Sequence, residues 1–171
     1  MASDKLSHLD AHGKASMVDV GAKPITERVA KAEAFVRINA ALEAAIRSNT
    51  LVKGDLLAVA RIAGVQAAKR TDELIPLCHS LPLDVVHVDA ALVPGAVRIE
   101  ATAKTHSRTG VEMEALTAVT VAALTVIDMG KAIDRAMVID GVRVLEKHGG
   151  RSGSHIAGPA TTTAPTPGTG A

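Results

Sequence analysis

Aromatic side chains are almost missing from this chain of 171 residues, which has no Trp, no Tyr and a single Phe, Phe35. Proteins that hold single-stranded nucleic acid stack its bases on aromatic rings, so this composition counts against that function. An excess of charge is missing too, because 19 Lys and Arg against 18 Asp and Glu give a formal net charge of +1. No whole-molecule field therefore attracts DNA or a membrane, and any anion site must be a local cluster of cations.

Cysteine is equally scarce. Cys78 is the only one, so no disulfide forms within the chain, which is compatible with a reducing compartment. The chain has no apolar run of about 18 residues or more, and residues 1–19 lack the apolar stretch of a signal peptide. We therefore predict a cytoplasmic protein with neither a nucleic acid nor a membrane as partner.

The first half of the chain predicts one strand and two helices. Apolar residues alternate with charged ones over residues 28–38, which favours a strand, although Ala and Glu leave a helix open there. Residues 40–47 suit a short helix. Asp55 is a good N-cap for a second helix, whose apolar residues repeat at helical spacing through Lys69.

The second half predicts a hairpin, a long helix and a last strand. Residues 83–92 and 96–106 alternate as strands, with Pro94 and Gly95 at the turn. An apolar helix is expected over residues 112–128, and a strand kinked near Gly141 over residues 136–147. This order predicts an α+β fold, in which an antiparallel sheet carries helices packed on one face.

Composition divides the chain into three segments. Residues 1–22 are polar and are expected to form an extended arm, and residues 23–154 a single α+β catalytic domain. Residues 155–171 are rich in Pro, Thr, Gly and Ala and lack core material, so we predict a disordered tail. The apolar helix has few charges and is predicted to pack against another subunit as well.

Charged residues mark both ends of the apolar helix. Every residue between Glu114 and Asp128 is Ala, Leu, Thr, Val or Ile. Ionised groups at such ends face partial burial, which is costly without a partner but useful for proton transfer. Glu112 and Glu114 can raise each other's pKa, or simply favour the positive end of the helix. Asp128 and Lys131 are three residues apart, which suits either a surface ion pair or a half-buried acid–base pair.

A loop between Pro76 and Pro82 holds Cys78 next to His79. The prolines stiffen it, so it can aim a side chain into a site. The alternative is structural: a Cys that fills a gap and a His bonded to a neighbouring carbonyl. A zinc site is disfavoured, because the usual sets of Cys and His ligands are absent.

Cations recur at helix starts, strand starts and loops. Together with the glycines of residues 148–153 they predict a polyanion site, because glycines let backbone N–H groups approach phosphate oxygens. Neither a P-loop nor a Rossmann fingerprint is present. The recurring cations are Arg28, Lys53, Lys69, Arg70, Arg108, Lys131, Lys147 and Arg151.

Seven segments make the chain similar to a known family. They are residues 17–20 (MVDV), 53–55 (KGD), 63–71 (AGVQAAKRT), 74–79 (LIPLCH), 109–117 (TGVEMEALT), 128–132 (DMGKA) and 147–153 (KHGGRSG). They resemble the molybdenum cofactor biosynthesis protein C family, the cyclic pyranopterin monophosphate synthases, from about residue 8 to residue 153.

The resemblance implies both an activity and an assembly. Its members are phosphorus–oxygen lyases that convert (8S)-3′,8-cyclo-7,8-dihydroguanosine 5′-triphosphate into cyclic pyranopterin monophosphate and release pyrophosphate. They have a ferredoxin-like fold and form homohexamers, as trimers of dimers with the active site at a subunit interface. The implied partner is a small nucleotide-derived substrate. No cofactor is required and no metal site is implied, although Mg²⁺ can accompany the phosphates.

The resemblance also implies roles for single residues. Asp128 and Lys131 are the expected catalytic pair. From the chemistry of the side chains we further expect Lys53, Lys69, His79 and Lys147 to neutralise phosphate, and Glu112 or Glu114 to bind the guanine edge. The residues expected to bind substrate are Arg28, Lys53, Lys69, Cys78, His79, Glu112, Met113, Glu114 and Lys147.

The chain departs from the family's pattern at Gly130, His148 and Arg151. A glycine between Asp128 and Lys131 predicts a looser geometry there. Two other functions stay open at this point. One is a catalytically weakened, nucleotide-binding paralogue of the same fold. The other is a metal-dependent phosphohydrolase that uses His79, Glu112, Glu114 and Asp128 as ligands.

Overall fold

In the part of the chain that the structure describes, five antiparallel strands form one sheet, in which they lie in the order β2 (Val85–Val93), β3 (Ala96–Ser107), β1 (Thr26–Arg37), β4 (Val138–His148) and β5 (His155–Ile156). The structure, a computed structural model, describes residues 14–150 and 153–158. Within these residues four helices pack on the sheet, which confirms the predicted α+β, ferredoxin-like class. The elements are β1 (Thr26–Arg37), α1 (Ala40–Arg47), α2 (Leu56–Ala68), α3 (Thr71–Leu74), β2 (Val85–Val93), β3 (Ala96–Ser107), α4 (Glu112–Gly130), β4 (Val138–His148) and β5 (His155–Ile156).

Residues 28–38 form a strand and not the alternative helix, because every second side chain of β1 enters the core. Ala30, Ala32, Ala34 and Val36 are buried in a row, and β1 pairs with β3 on one side and β4 on the other. Small side chains on this central strand let α4 approach the sheet closely, since an alanine fills little of the space between the layers.

The helical layer is built around α4, which packs on β1, β3, β4 and α2. Asp55 caps α2 as predicted, by accepting a hydrogen bond from the N–H of Ala58. A Cβ at Gly64 would lie 3.0 Å from the carbonyl oxygen of Ala118, so glycine permits this close contact between α2 and α4. By length and composition α4 could cross a bilayer, but its buried residues pack here as a core helix does.

The other face of the sheet carries a network of ion pairs. Glu33 on β1 is only 4% exposed, and it pairs with Arg98 of β3 and Arg143 of β4. Two guanidinium groups thus compensate the buried carboxylate, as a buried charge requires. The cation of Arg98 also lies over the ring of Phe35.

The structure differs from the sequence predictions at the C-terminal end. Residues 155–156 belong to the predicted disordered tail, but they form β5, because the backbone of β4 offers an edge where Glu146 pairs with Ile156 and Lys147 with His155. Residues 159–171 of the predicted tail and residues 1–13 of the predicted arm lie outside the described residues. The predicted kink is present at Gly141, which has φ +61 beside irregular pairing of β4 with β1.

Candidate active site

Two adjoining clefts open at the N-terminal end of α4. The larger has a volume of about 690 Å³ and lies between the start of β1, the end of β4 and the loop from β3 to α4. The smaller, of about 420 Å³, lies between residues 18–23, residues 77–81 and the first turn of α4. Because both are lined by Lys23, Thr109, Gly110 and Glu112, they form a continuous depression, which we call the α4 cleft.

The larger part of the α4 cleft is rich in cations. Arg28, Lys147, Lys23 and Arg108 line it, next to the imidazole of His148. Cations that converge from several separate segments can hold a ligand with several negative charges, such as a polyphosphate.

Arg28 is held against two glycines. A Cβ at Gly150 would overlap its guanidinium group, and Gly149 contacts the backbone of Glu27 just before it. The Nε of Arg28 is buried and has no hydrogen-bond partner among the described residues. A buried donor without a partner is costly, so this group is suited to an acceptor on a ligand.

Glu112 and Glu114, two residues apart, have different surroundings. Glu112 lines both parts of the cleft and lies 3.5 Å from the Nζ of Lys147. Glu114 is 4% exposed, and burial raises its pKa to about 7, helped by the charges of Glu112 and Asp72. Near neutral pH Glu114 is therefore divided between its acid and its carboxylate, and it can give or take a proton.

The loop of residues 76–82 supplies Cys78 and His79 to the smaller part of the cleft. The Nε2 of His79 lies 2.8 Å from the carbonyl oxygen of Val18. A carbonyl only accepts, so Nε2 carries the proton. Burial, and then the charges of Glu114 and Asp72, raise the pKa of the Cys78 thiol, which favours the thiol over the thiolate.

A second cluster lies at the C-terminal end of α4. The Nζ of Lys53 lies 2.7 Å from one carboxylate oxygen of Asp128 and 2.9 Å from its carbonyl, and the Nζ of Lys131 lies 2.7 Å from the other carboxylate oxygen. Hydrogen bonds from Lys131 and Lys53 lower the pKa of Asp128 to about 2. Within a single chain this cluster is exposed, because it lies on the outer side of the last turn, so of the two alternatives left open by the sequence the surface ion pair is the one present there.

The two groups of predicted site residues are far apart within one chain. From Glu112 to Asp128 the helix axis advances roughly 24 Å at 1.5 Å per residue. At one end of α4, five other predicted residues lie with the two glutamates: Arg28, Cys78, His79, Met113 and Lys147. At the other end, Lys53 and Lys131 lie with Asp128.

Lys69 follows the last turn of α2 and is exposed. Lys69 is not one of the described residues that line the α4 cleft. Its assignment to the phosphates stays a prediction.

The structure adds cleft residues that sequence reasoning did not assign to the site. Lys23 is a single cation in a loop and has no pattern that separates it from a solvated side chain, whereas Arg108 is one of the recurring cations of the predicted polyanion site and does line the cleft. Val18 and Val20 form a wall of the smaller part, and their signals in the sequence are a compact apolar stretch within a polar arm and the resemblance of residues 17–20 to the family. Of the residues that depart from the family's pattern, His148 lies in the cleft, and Arg151 is outside the described residues.

Gly130 does not loosen the second cluster as expected. It is buried in the last turn of α4, and a Cβ there would lie 2.7 Å from Leu42 and 3.3 Å from Met137. The side chains of Leu42 and Met137 thus fill the space that a larger residue would occupy.

The ligand set for a metal-dependent phosphohydrolase does not come together in one chain. Asp128 is at the opposite end of α4 from His79, Glu112 and Glu114. Within residues 14–150 and 153–158, no three side chains of His, Cys, Asp or Glu converge in a way that would hold a metal ion.

Comparison with known proteins gives a consistent result. Residues 17–150 match the MoaC family. The chain is 58% identical over 149 residues to the cyclic pyranopterin monophosphate synthase of Corynebacterium efficiens, which covers 87% of this chain and 96% of that protein. It is 55% identical over 149 residues to the synthase of Novosphingobium aromaticivorans, covering 87% and 95%. Against the synthase of Streptomyces avermitilis, identity is 55% over 152 residues, covering 89% of each chain.

Proposed function

Because this chain belongs to the MoaC family, we propose that it is a cyclic pyranopterin monophosphate synthase, a phosphorus–oxygen lyase of molybdenum cofactor biosynthesis. It converts (8S)-3′,8-cyclo-7,8-dihydroguanosine 5′-triphosphate into cyclic pyranopterin monophosphate and pyrophosphate. The observation that carries the proposal is the identity of 55–58% over nearly the whole length of synthases. The cations and acids of the α4 cleft support it.

The phosphate chemistry needs cations on the side of the leaving group. When an oxygen of the substrate attacks the first phosphorus, a cyclic phosphate closes and pyrophosphate departs with additional negative charge. Arg28 and Lys147, which line the larger part of the cleft, are placed to stabilise that charge. Lys23 and Arg108 line the same cleft, and we add them to the proposed phosphate site.

The ring chemistry needs groups that give and take protons. Glu114 is the best candidate, because its pKa of about 7 makes both protonation states available at neutral pH. Asp128 is a weaker candidate for a base, because a carboxylate with a pKa of about 2 stays ionised at neutral pH and is a poor proton acceptor. In our proposal Asp128 holds the ammonium groups of Lys53 and Lys131, and Lys131 acts on the substrate.

A second copy of the chain would complete the site. A substrate in the α4 cleft is too far from Lys131 of the same chain to react with it, whereas a neighbouring copy can present its own Lys53, Asp128 and Lys131. Exposed apolar side chains on α2 and α4, among them Val59, Ile62 and Leu124, give the helical layer a surface suited to such packing. We propose a homohexamer, a trimer of dimers, with the site at a subunit interface.

The proposal assigns no resident cofactor. Mg²⁺, where it takes part, would enter with the phosphates of the substrate, as hard cations commonly do with nucleotides. We also propose a cytoplasmic location, on the basis of the single cysteine.

The direct test is mass spectrometry of the products after incubation with the cyclised GTP substrate. We expect cyclic pyranopterin monophosphate and pyrophosphate in equal amounts, and at least a hundredfold loss of product in Lys131→Ala, with folding unchanged by circular dichroism. Tight substrate binding without product in the wild type would point to a weakened paralogue. Loss of turnover on adding a chelator would instead favour metal-dependent hydrolysis.

A further inference from the structure

Asp134 is a buried acid that the chemistry proposed above does not use. Asp134 is 4% exposed, and it lies in the segment between α4 and β4, three residues after Lys131. Among the described residues no Lys, Arg or His forms an ion pair with it. A carboxylate buried without a cation is unfavourable unless other donors satisfy it.

Two backbone N–H groups provide that compensation. One carboxylate oxygen of Asp134 accepts a hydrogen bond of 2.7 Å from the N–H of Asn39, and the other accepts one of 2.9 Å from the N–H of Ala136. The first bond joins the turn after α4 to the junction of β1 and α1. The second closes the turn on itself, just before β4 begins.

The same turn carries Lys131. The N–H groups of Lys131 and Asp134 donate to the carbonyl oxygens of Ile127 and Gly130, so the backbone from α4 to Asp134 is one hydrogen-bonded unit. Lys131 and Asp134 also line one shallow cleft next to this turn. The anchor on Asn39 therefore fixes where the backbone of Lys131 lies relative to the sheet.

We propose that Asp134 is a positioning residue, which sets the place of Lys131 through its hydrogen bond to the backbone of Asn39. Its effect on turnover rests on the proposed function, in which Lys131 acts on the substrate. A small displacement of a reacting group can lower a rate by about a hundredfold. The α4 cleft lies at the other end of the helix, so substrate binding there is left unchanged.

Two substitutions at Asp134 and one control test this proposal. Asp134→Asn keeps one acceptor oxygen and loses the other, and Asp134→Ala loses both. Asn39→Ala is the matched control, because it removes the side-chain cap on the N–H of Leu42 and keeps the backbone N–H that reaches Asp134. We expect the kcat of the purified oligomer to fall about tenfold in Asp134→Asn and further in Asp134→Ala, with KM within about twofold. Asn39→Ala should lower the Tm and keep kcat within about twofold.

A second measurement does not depend on turnover. Amine acetylation, followed by peptide mass spectrometry, reports how freely each lysine reacts. We expect Lys131 to react several times faster in Asp134→Asn than in the wild type or Asn39→Ala. Lys104, which pairs with Glu27 on the sheet, serves as the internal reference.

The possible failures are distinguishable. Unchanged kcat and unchanged acetylation of Lys131 in both Asp134 variants would overturn the positioning role. A fall in kcat that tracks Tm equally in Asn39→Ala would overturn it too. An inactive wild type in which Asp134→Asn still exposes Lys131 would leave the positioning role standing and refute the proposed function.

Discussion

Glu114 lies where the apolar helix begins, and burial is the largest influence on its pKa, which rises from 4.5 to about 7. Below pH 4.5 the group is protonated in both folded and unfolded chains, so it adds no pH dependence. Between 4.5 and about 7 the unfolded chain ionises first, which lowers the free energy of unfolding as pH rises. Above 7 the loss is complete.

We expect Glu114→Gln to remove this loss. At pH 8 the variant should be more stable than the wild type by on the order of 1–2 kcal/mol, allowing for solvent at the cleft mouth, and equal to it near pH 4. Urea unfolding across this range measures the difference. Glu112→Gln is the control: Glu112 is more exposed and lies near Lys147, and its charge is a smaller cause of the raised pKa of Glu114 than burial is, so this variant should gain less at pH 8 than Glu114→Gln. A Glu114→Gln curve parallel to that of the wild type would contradict the assignment.

Gly150 gives a second prediction at this scale. It has φ +82, and a Cβ on it would overlap the guanidinium of Arg28, whereas Gly153 has φ +66 and open space around it. Alanine at either position costs about 1–2 kcal/mol of backbone strain. Only Gly150→Ala should also displace Arg28, so we expect its Kd for the cyclised GTP substrate to rise about tenfold, as loss of a charged hydrogen bond would cause. Calorimetric titration checks this, and equal Kd values for the two variants would separate Arg28 from binding.

The sequence predicts the chemical type of single site residues better than it predicts their burial and contacts. The sequence placed Glu112, Glu114 and Asp128 at the ends of an apolar helix, which the structure confirms. It did not reveal which of them is buried, because that depends on elements distant in the chain that pack around each end. Cys78 and His79 lie together in the cleft, as expected for a loop that aims side chains into a site. His79 also bonds to the carbonyl oxygen of Val18, which is the structural role that the sequence left open for it.

At the scale of elements, the ion-pair network around Glu33 joins β1 to both its neighbours. Glu33→Ala would leave Arg98 and Arg143 without their common partner, so we expect a loss of about 3–5 kcal/mol in the free energy of unfolding. Asp140→Ala is the matched control, since Asp140 pairs with Arg37 across the same two strands but in solvent, where such pairs contribute about 0–1 kcal/mol. Urea denaturation of both variants measures the contrast, and similar losses would show that burial of Glu33 adds nothing.

The elements themselves were the most predictable level. Three of the confirmed features depend only on residues close together in the chain, so the local sequence determines them. They are the alternation in β1 and β3, the N-cap at Asp55 and the turn at Pro94 and Gly95. Glu33 shows the limit of such patterns. It stands on the polar side of an alternating strand and resembles a solvated residue, and its burial comes from two arginines that are 65 and 110 positions away.

At the scale of the whole molecule, the predicted site residues separate into two groups at opposite ends of α4. Spacing along the chain revealed which residues have the right chemistry. It did not reveal that one chain keeps them apart, because the distance is set by the straight length of a helix between them. If the α4 cleft of one chain forms an active site with the Lys53–Asp128–Lys131 cluster of a neighbouring chain, two variants that are inactivated in different parts of the site should regain activity when they assemble together.

We therefore expect His79→Ala and Lys131→Ala, each inactive alone, to regain activity when co-expressed in equal amounts. Random pairing places both substitutions at one site of each mixed dimer and leaves the other intact, which predicts about a quarter of wild-type turnover. A mixture of His79→Ala with Lys147→Ala is the control and should stay inactive, because both lesions lie at the same end of α4 and every site then contains one. No recovery in the first mixture, or a monomer by sedimentation at micromolar concentration, would contradict a site shared between copies, since the roughly 24 Å along α4 leaves a single chain unable to bring both groups to one substrate.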